Sequence, residues 1–141
     1  MFVIAADALI ERFGEWPSFH DAEVLALRLD SGQRSNTAPS LELDIHLFAV
    51  DGQRADGGLN FVKHTMATLQ FEEIEAVKLD GFGPQNVLYD LVLEEVNVAA
   101  GRQIQVELPS SNGLTATFRC RQVLIVAVEP FEPGPRSVYH R

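Results

Sequence analysis

The chain has 141 residues, of which 46% are hydrophobic and 22% charged, and 20 acidic residues against 11 Lys and Arg give a formal net charge of −9. A chain of this length folds around a single core, so we predict one domain over residues 1–141. The acidic balance argues against nucleic-acid binding, which needs clustered Lys and Arg. No apolar run in the sequence is long enough to cross a membrane.

Cysteine usage and the N-terminal residues indicate the compartment. Cys120 is the only cysteine, so the chain can form no internal disulfide, which favours the reducing cytoplasm. The first six residues lack the basic segment of a signal peptide. We therefore predict a cytoplasmic protein in which Cys120, within an alternating stretch, is a small buried apolar side chain.

The pattern near the N-terminus predicts one short amphipathic helix over residues 5–13. Apolar residues recur there at a spacing of four, and charged residues occupy the other faces. Gly14 is expected to end the helix. The period then changes to two, which predicts a strand. Its expected core face carries Leu25, Leu27 and Leu29.

The middle of the chain contains the most regular strand pattern. Residues 41–49 alternate strictly between aliphatic and polar or aromatic residues, which predicts a strand with His46 and Phe48 on its outer face. Residues 51–58 contain three glycines and predict an exposed loop. A weaker alternation over residues 63–71 predicts the next strand.

The C-terminal half continues with strands and ends in an irregular tail. Residues 86–98 fit both a helix face and a strand face, and we favour a strand because Val, Tyr and Leu cluster there. Asn112 and Gly113 are a strong signal for a hairpin turn. The tail from about residue 130 holds three prolines and is expected to be irregular. Further strands are predicted over 104–108, 114–120 and 122–129.

One helix followed by six to eight strands with short connections defines the predicted fold class. This pattern is typical of a mostly β domain in which strands pair antiparallel. We therefore predict a mostly β protein, α+β only through its one short N-terminal helix. Its strands form either an antiparallel sandwich or a strongly curved sheet, and the helix closes one opening.

The densest polar cluster is His20, Asp21 and Glu23. If the first strand begins by Asp21, alternation places Asp21 and Glu23 together on the core side. Two carboxylates there could share a proton, bind a cation or accept an arginine from a partner. In the other interpretation, Asp21 accepts backbone N–H groups of the turn and His20 is exposed. A small metal-dependent hydrolase centred on these three residues is one alternative function.

The rest of the sequence does not support catalysis. It offers no second convergent cluster, no nucleophile beside a base and no histidine pair with zinc spacing. We therefore predict no catalytic residue, no metal and no cofactor. Trp16 is expected to pack the helix onto the sheet, or else to anchor a partner. The many acidic residues form either a solvated face or a negative patch for a cationic partner.

The stretch from Phe13 to Val24, with its Trp-Pro-Ser-Phe-His-Asp-Ala-Glu string, resembles the immunity protein 50 family of bacterial polymorphic-toxin systems. A second similar region runs from Phe71 to Ile74, through Leu79 to Phe82, and on to Gln85 to Leu88. The similarity extends over residues 9–128. The family motif occurs in this chain at Trp16, His20, Asp21, Glu23 and Asn86.

This resemblance implies a cytoplasmic antitoxin-like protein with a mainly β fold and no catalysis. Such a protein binds a cognate toxin, and the acidic composition suits a toxin with a basic surface. The motif residues would either bind that toxin or hold the fold. A non-catalytic oligomerising module is the other alternative function, and we expect a monomer or a weak dimer.

Overall fold

The computed structural model describes residues 2–140 and contains two antiparallel sheets that face each other as a sandwich. The first sheet has the strand order β10-β3-β2-β1-β5-β8, and the second has the order β4-β9-β7-β6. This architecture confirms the predicted mostly β class. The elements are α1 (Asp7–Phe13), β1 (Glu23–Asp30), β2 (Ser40–Gln53), β3 (Leu59–Glu72), β4 (Glu75–Asp80), β5 (Val87–Leu88), β6 (Val92–Val98), β7 (Gly101–Leu108), β8 (Ser110–Asn112), β9 (Thr115–Cys120) and β10 (Gln122–Pro130).

The predicted helix is present, although it is shorter than residues 5–13. Ala5 has a positive φ of 58°, which an α-helix does not accommodate, so α1 begins at Asp7. Gly14 ends the helix as predicted, with a φ of 83°, and its N–H donates to the carbonyl of Ile10 at 2.7 Å. The buried face of α1 carries Leu9 against the core. The helix thereby lies against β3 and β10, where it covers part of the first sheet.

The core lies between the two sheets, as the alternation in β2 predicted. Its four inward aliphatic residues have no exposed surface, and the ring of Phe71 on β3 meets the ring of Phe118 on β9 at 5.0 Å. Cys120 is buried in this core as predicted, and burial raises the pKa of its thiol to about 12. The inward aliphatic residues of β2 are Leu41, Leu43, Ile45 and Leu47.

The predicted core face of β1 is confirmed at Leu27, which packs against the core, and is wrong at Leu25 and Leu29. Leu25 is exposed and Leu29 has 54% of its surface exposed, whereas Val24 is buried. The register between β1 and β2 shifts between Val24 and Ala26, so a β-bulge interrupts the alternation. The neighbour on the other side, β5, pairs with β1 only at Glu23. Most of β1 therefore has no strand on that side.

The ambiguous stretch over residues 86–98 forms strands, as favoured by its composition. It is divided into β5, in the first sheet, and β6, in the second. The strands flanking Asn112 and Gly113 pair antiparallel as predicted, but they are not joined by a two-residue turn. The connection contains β8, which pairs with β5 in the opposite sheet.

The C-terminal tail is irregular after Pro130, as predicted, but several of its partly buried residues contact the first sheet. The N–H of Phe131 donates to the carbonyl of His64 at 3.0 Å. The ring of Tyr139 lies 4.5 Å from that of Phe48 and 5.1 Å from that of Phe61. The tail thus folds back over β2 and β3. Within residues 2–140, no helix has the length and apolar character needed to span a membrane.

Candidate functional site

A buried chain of polar side chains crosses the first sheet where β1, β2 and β3 lie side by side. His46 on β2 contacts the Glu23 carboxylate through Nδ1 at 2.7 Å and His64 on β3 through Nε2 at 2.8 Å. Because a carboxylate oxygen accepts, His46 donates its Nδ1 proton to Glu23. In an uncharged His46 ring, Nε2 then accepts the proton on Nδ1 of His64.

The C-terminal tail closes this network from outside. Ser137 donates its hydroxyl to Glu23 Oε1 at 2.5 Å, and the Val138 N–H donates to Oε2 at 3.4 Å. These contacts and the His46 bond leave Glu23 only 4% exposed. Burial by itself raises the pKa of the Glu23 carboxyl, but the bonds from His46 and Ser137 outweigh it, so the pKa lies below its ordinary value.

Helix α1 holds the far end of the network. Arg12 donates from Nε to the Thr65 hydroxyl at 2.9 Å and from Nη2 to the carbonyl of His64 at 3.3 Å. The Thr65 hydroxyl in turn donates to the carbonyl of Lys63 at 2.7 Å. Charge-assisted bonds of this kind fix the backbone that carries His64. The network therefore ties α1, three strands and the tail together.

His46 was predicted on the outer face of β2, where a side chain is usually exposed to solvent. It is instead fully buried. The aromatic side chains of the tail cover it. The His46 ring lies 5.0 Å from the ring of Phe131 and 5.8 Å from that of Tyr139. Strand alternation places a side chain on one face of a sheet but does not reveal what covers that face.

An open groove of about 450 Å³ lies between the end of α1, the turn that precedes β1, and the hairpin end of β2 and β3. The groove is mostly apolar at its hairpin side, where Val50 is 55% and Leu59 46% exposed. Two carboxylates also line it, Glu15 and Asp21. Its other apolar lining residues are Phe13, Pro17, Phe48, Ala49 and Phe61.

The His20-Asp21 turn reaches this groove in a fixed conformation. Asp21 has a positive φ of 67°, which Asp tolerates better than most residues. Its N–H donates to the carbonyl of Leu88 at 2.9 Å, and its carbonyl accepts the Tyr139 hydroxyl at 2.7 Å. Burial, and then the charges of Asp21 and Glu23, raise the pKa of Tyr139, so this hydroxyl remains a donor.

The structure separates the three residues of the predicted polar cluster. His20 and Asp21 form an exposed pair, with Nδ1 and Oδ2 3.1 Å apart, and both line the groove. Glu23 instead belongs to the buried network. The prediction that Asp21 and Glu23 share the core side of one strand is wrong, because the strand begins only at Glu23. In the described part of the chain, no three His, Cys, Asp or Glu side chains are grouped to hold a metal ion.

Trp16 is half-buried against the core, and its ring lies 5.5 Å from the ring of the buried Phe19. It thus packs the turn between α1 and β1.

Asn86 is buried and joins three segments of chain. Its Oδ1 accepts the N–H groups of Gly83 at 2.9 Å and Leu114 at 3.1 Å. Its Nδ2 donates to the carbonyls of Gly83 at 2.9 Å and Val24 at 3.4 Å. Asn86 therefore acts inside the fold, since all four bonds go to backbone groups.

Several residues of both features had not been predicted from the sequence. His64, Ser137 and Tyr139 complete the network, and Val50 and Leu59 give the groove its exposed apolar side. Ser137 lies 114 residues from Glu23, and no local spacing relates two such positions. The hairpin residues carried a weak signal, since Val50 and Leu59 flank a glycine-rich loop where aliphatic side chains are exposed.

Acid is expected to weaken the fold through Glu23. The folded-state pKa lies below the ordinary value of 4.5, so the contribution of Glu23 to stability is fully present above that value. It is lost as the pH falls through 4.5 toward the folded-state pKa, because the unfolded chain then binds the proton more tightly. Urea unfolding from about pH 6 to about pH 3 checks this. The Glu23→Gln variant should lose less stability over the same interval, and an equal loss in both proteins would contradict the prediction.

The fold and the site together define a small acidic β-sandwich protein with a buried polar network and an open apolar groove rimmed by carboxylates. The chain belongs to the immunity protein 50 family, whose model matches residues 5–131. The match confirms the resemblance seen in the sequence. Comparisons with curated proteins and with solved structures found no match.

Proposed function

We propose that this protein is an antitoxin-like immunity protein that binds a cognate toxin and neutralises it by protein–protein contact, without turning over a substrate. Membership of the immunity protein 50 family carries the proposal. The partner implied by this family is a toxin, and we place the encounter in the cytoplasm. The predicted lack of catalysis, cofactor and nucleic-acid binding belongs to the same proposal.

The arrangement of the motif residues supports a binding role. Glu23 and Asn86 are buried and hydrogen-bonded within the fold, and Trp16 packs against the core. His20 and Asp21 line the open groove. We propose that Glu23, Asn86 and Trp16 maintain the conformation of the surface. His20 and Asp21 would then contact the toxin.

The net charge of −9 supports a toxin with a basic surface. Opposite charges steer two proteins toward each other and raise the association rate by about 10-fold to 1,000-fold at low salt. The association rate with the cognate toxin is therefore expected to fall as salt increases.

Titration of the toxin encoded beside this gene with the purified protein tests the proposal. A binding inhibitor must occupy each toxin molecule, so the remaining toxin activity should fall linearly and vanish near equal molar amounts. An enzyme that inactivates the toxin would do so at far smaller amounts and with time. Absence of both a complex and inhibition at micromolar concentrations would overturn the proposed function.

A further inference from the structure

We infer that the toxin docks in the groove between α1, the His20-Asp21 turn and the β2–β3 hairpin, and that the docking segment pairs an apolar side chain with a Lys or Arg. This inference rests on the proposed function. It names the surface that makes contact and the chemistry of the segment that fits it.

The apolar side of the groove supplies the first argument. Val50 pairs in register with Phe61, and Leu59 pairs with Gln53 across the same hairpin end. These aliphatic side chains therefore occupy neighbouring positions, and both are about half exposed. A contiguous apolar surface with a polar rim marks an interaction site more often than single exposed residues do.

The rim supplies the second argument, which concerns charge. Glu15 and Asp21 line the groove, and no Lys or Arg does so among the residues described. A docking segment that covers these carboxylates removes their hydration, and the contact of Asp21 with the His20 ring does not replace the hydration of Glu15, so the segment must compensate the charge. A Lys or Arg beside the apolar side chain meets this need. An acidic segment would be repelled.

The groove is also held in shape before any partner arrives. Tyr139 and Leu88 fix the backbone of Asp21 by the two hydrogen bonds described above. The ring of Phe48 in its wall is held between the rings of Phe61 and Tyr139, at 4.9 Å and 4.5 Å. A surface that is already ordered loses little conformational freedom on binding, which favours tight association.

The apolar contact is tested with Leu59→Asp and, separately, Val50→Asp. Each variant is expected to raise the Kd for the toxin encoded beside this gene by about 10-fold or more, as burying an unpaired charge at a central contact does. The matched control is Leu29→Asp, which introduces the same charge at an equally exposed leucine. Leu29 pairs with Leu41, nine residues along β2 from Val50 and about 30 Å away. The Leu29→Asp variant should leave the Kd for the toxin unchanged.

The charge contact is tested with Asp21→Asn, which removes the carboxylate but keeps a side chain that tolerates positive φ. We expect the association rate to fall by about 2-fold to 10-fold at low salt and the difference to shrink at high salt. Glu94→Gln, which removes one charge from an exposed position on β6, is the control for net charge alone. Equal effects of the two variants would overturn the assignment of a cationic group to this groove.

The outcomes separate the two proposals. If the wild-type protein binds the toxin and both hairpin variants bind it as well as Leu29→Asp, the docking surface is elsewhere and the inference is wrong, while the proposed function stands. If the wild-type protein does not bind the toxin, both are wrong.

A wild-type mass near twice 15.6 kDa that falls to the chain mass in Leu59→Asp would assign the groove to a second copy instead. Circular dichroism establishes that every variant is folded.

Discussion

Replacement of Glu23 by alanine should lower the free energy of unfolding by about 2 to 5 kcal/mol, because each donor left without an acceptor inside the protein costs about 1 to 3 kcal/mol. His46 and Ser137 then lose their common acceptor inside the protein. His46 is fully buried and cannot recover the bond from water without opening the tail. The expected result is a large fall in the urea midpoint, measured at neutral pH by the circular dichroism of the strands.

Two further variants show whether the burial of Glu23 is the cause of the expected loss of stability. Glu23→Gln retains an acceptor for His46 and should lose less stability than Glu23→Ala. Glu42→Ala removes a partly exposed carboxylate on β2 that is paired with Arg28, and it should cost less than about 1 kcal/mol. If Glu23→Ala costs no more than Glu42→Ala, the buried network does not stabilise the fold.

Replacement of Asn86 by alanine should lower the free energy of unfolding by about 2 to 4 kcal/mol, because it leaves backbone donors and acceptors without partners. The N–H of the buried Leu114 is the most affected, since Asn86 Oδ1 accepts it. A compensating shift of the chain is restricted, because the backbone is already crowded at Gly113, where a Cβ would sit 2.9 Å from the Cα of residue 86. The measurement is again urea unfolding.

The Asn86→Asp variant tests the hydrogen bonds that Asn86 donates separately from those that it accepts. Asn86→Asp keeps the acceptor for the N–H groups of Gly83 and Leu114 but loses both donations to carbonyls. It places an ionised oxygen beside the carbonyls of Gly83 and Val24 in a buried site, so it should cost at least as much stability as Asn86→Ala. Asn97→Ala, at an exposed position on β6, is the matched control and should change stability by less than about 0.5 kcal/mol. Equal losses at residues 86 and 97 would show that the four bonds contribute nothing.

Local sequence patterns predicted those parts of the fold that depend on residues close together in the sequence. The alternation over residues 41–49 identified the buried face of β2 because each inward position there packs against the second sheet. Gly14 identified the end of α1 because a left-handed residue is needed there. The same reasoning failed at Leu25 and Leu29. The bulge between Val24 and Ala26 accounts for Leu25, and no residue type announces it. Leu29 lies opposite the inward Leu41 but is exposed one residue before β1 ends.

The candidate site was harder to predict than the fold, because it is formed by contacts between residues that lie far apart in the sequence. The sequence drew attention to Glu23, and its position beside His20 and Asp21 suggested that these three residues act together. Their actual partners are set by the sheet, which brings His46 opposite Glu23, and by the tail, which brings Ser137 from the other end of the chain. The groove could be predicted only in part, since His20 and Asp21 were named but Val50 and Leu59 were not.

One consequence follows from the Tyr139 hydroxyl, which holds the Asp21 carbonyl while its neighbour Ser137 holds Glu23. The stability that Glu23 contributes and the shape of the groove that we propose as the docking surface are thereby coupled through residues 137–139. We expect a protease cut after Gly134 to impair both properties at once, although the two sheets would keep every strand.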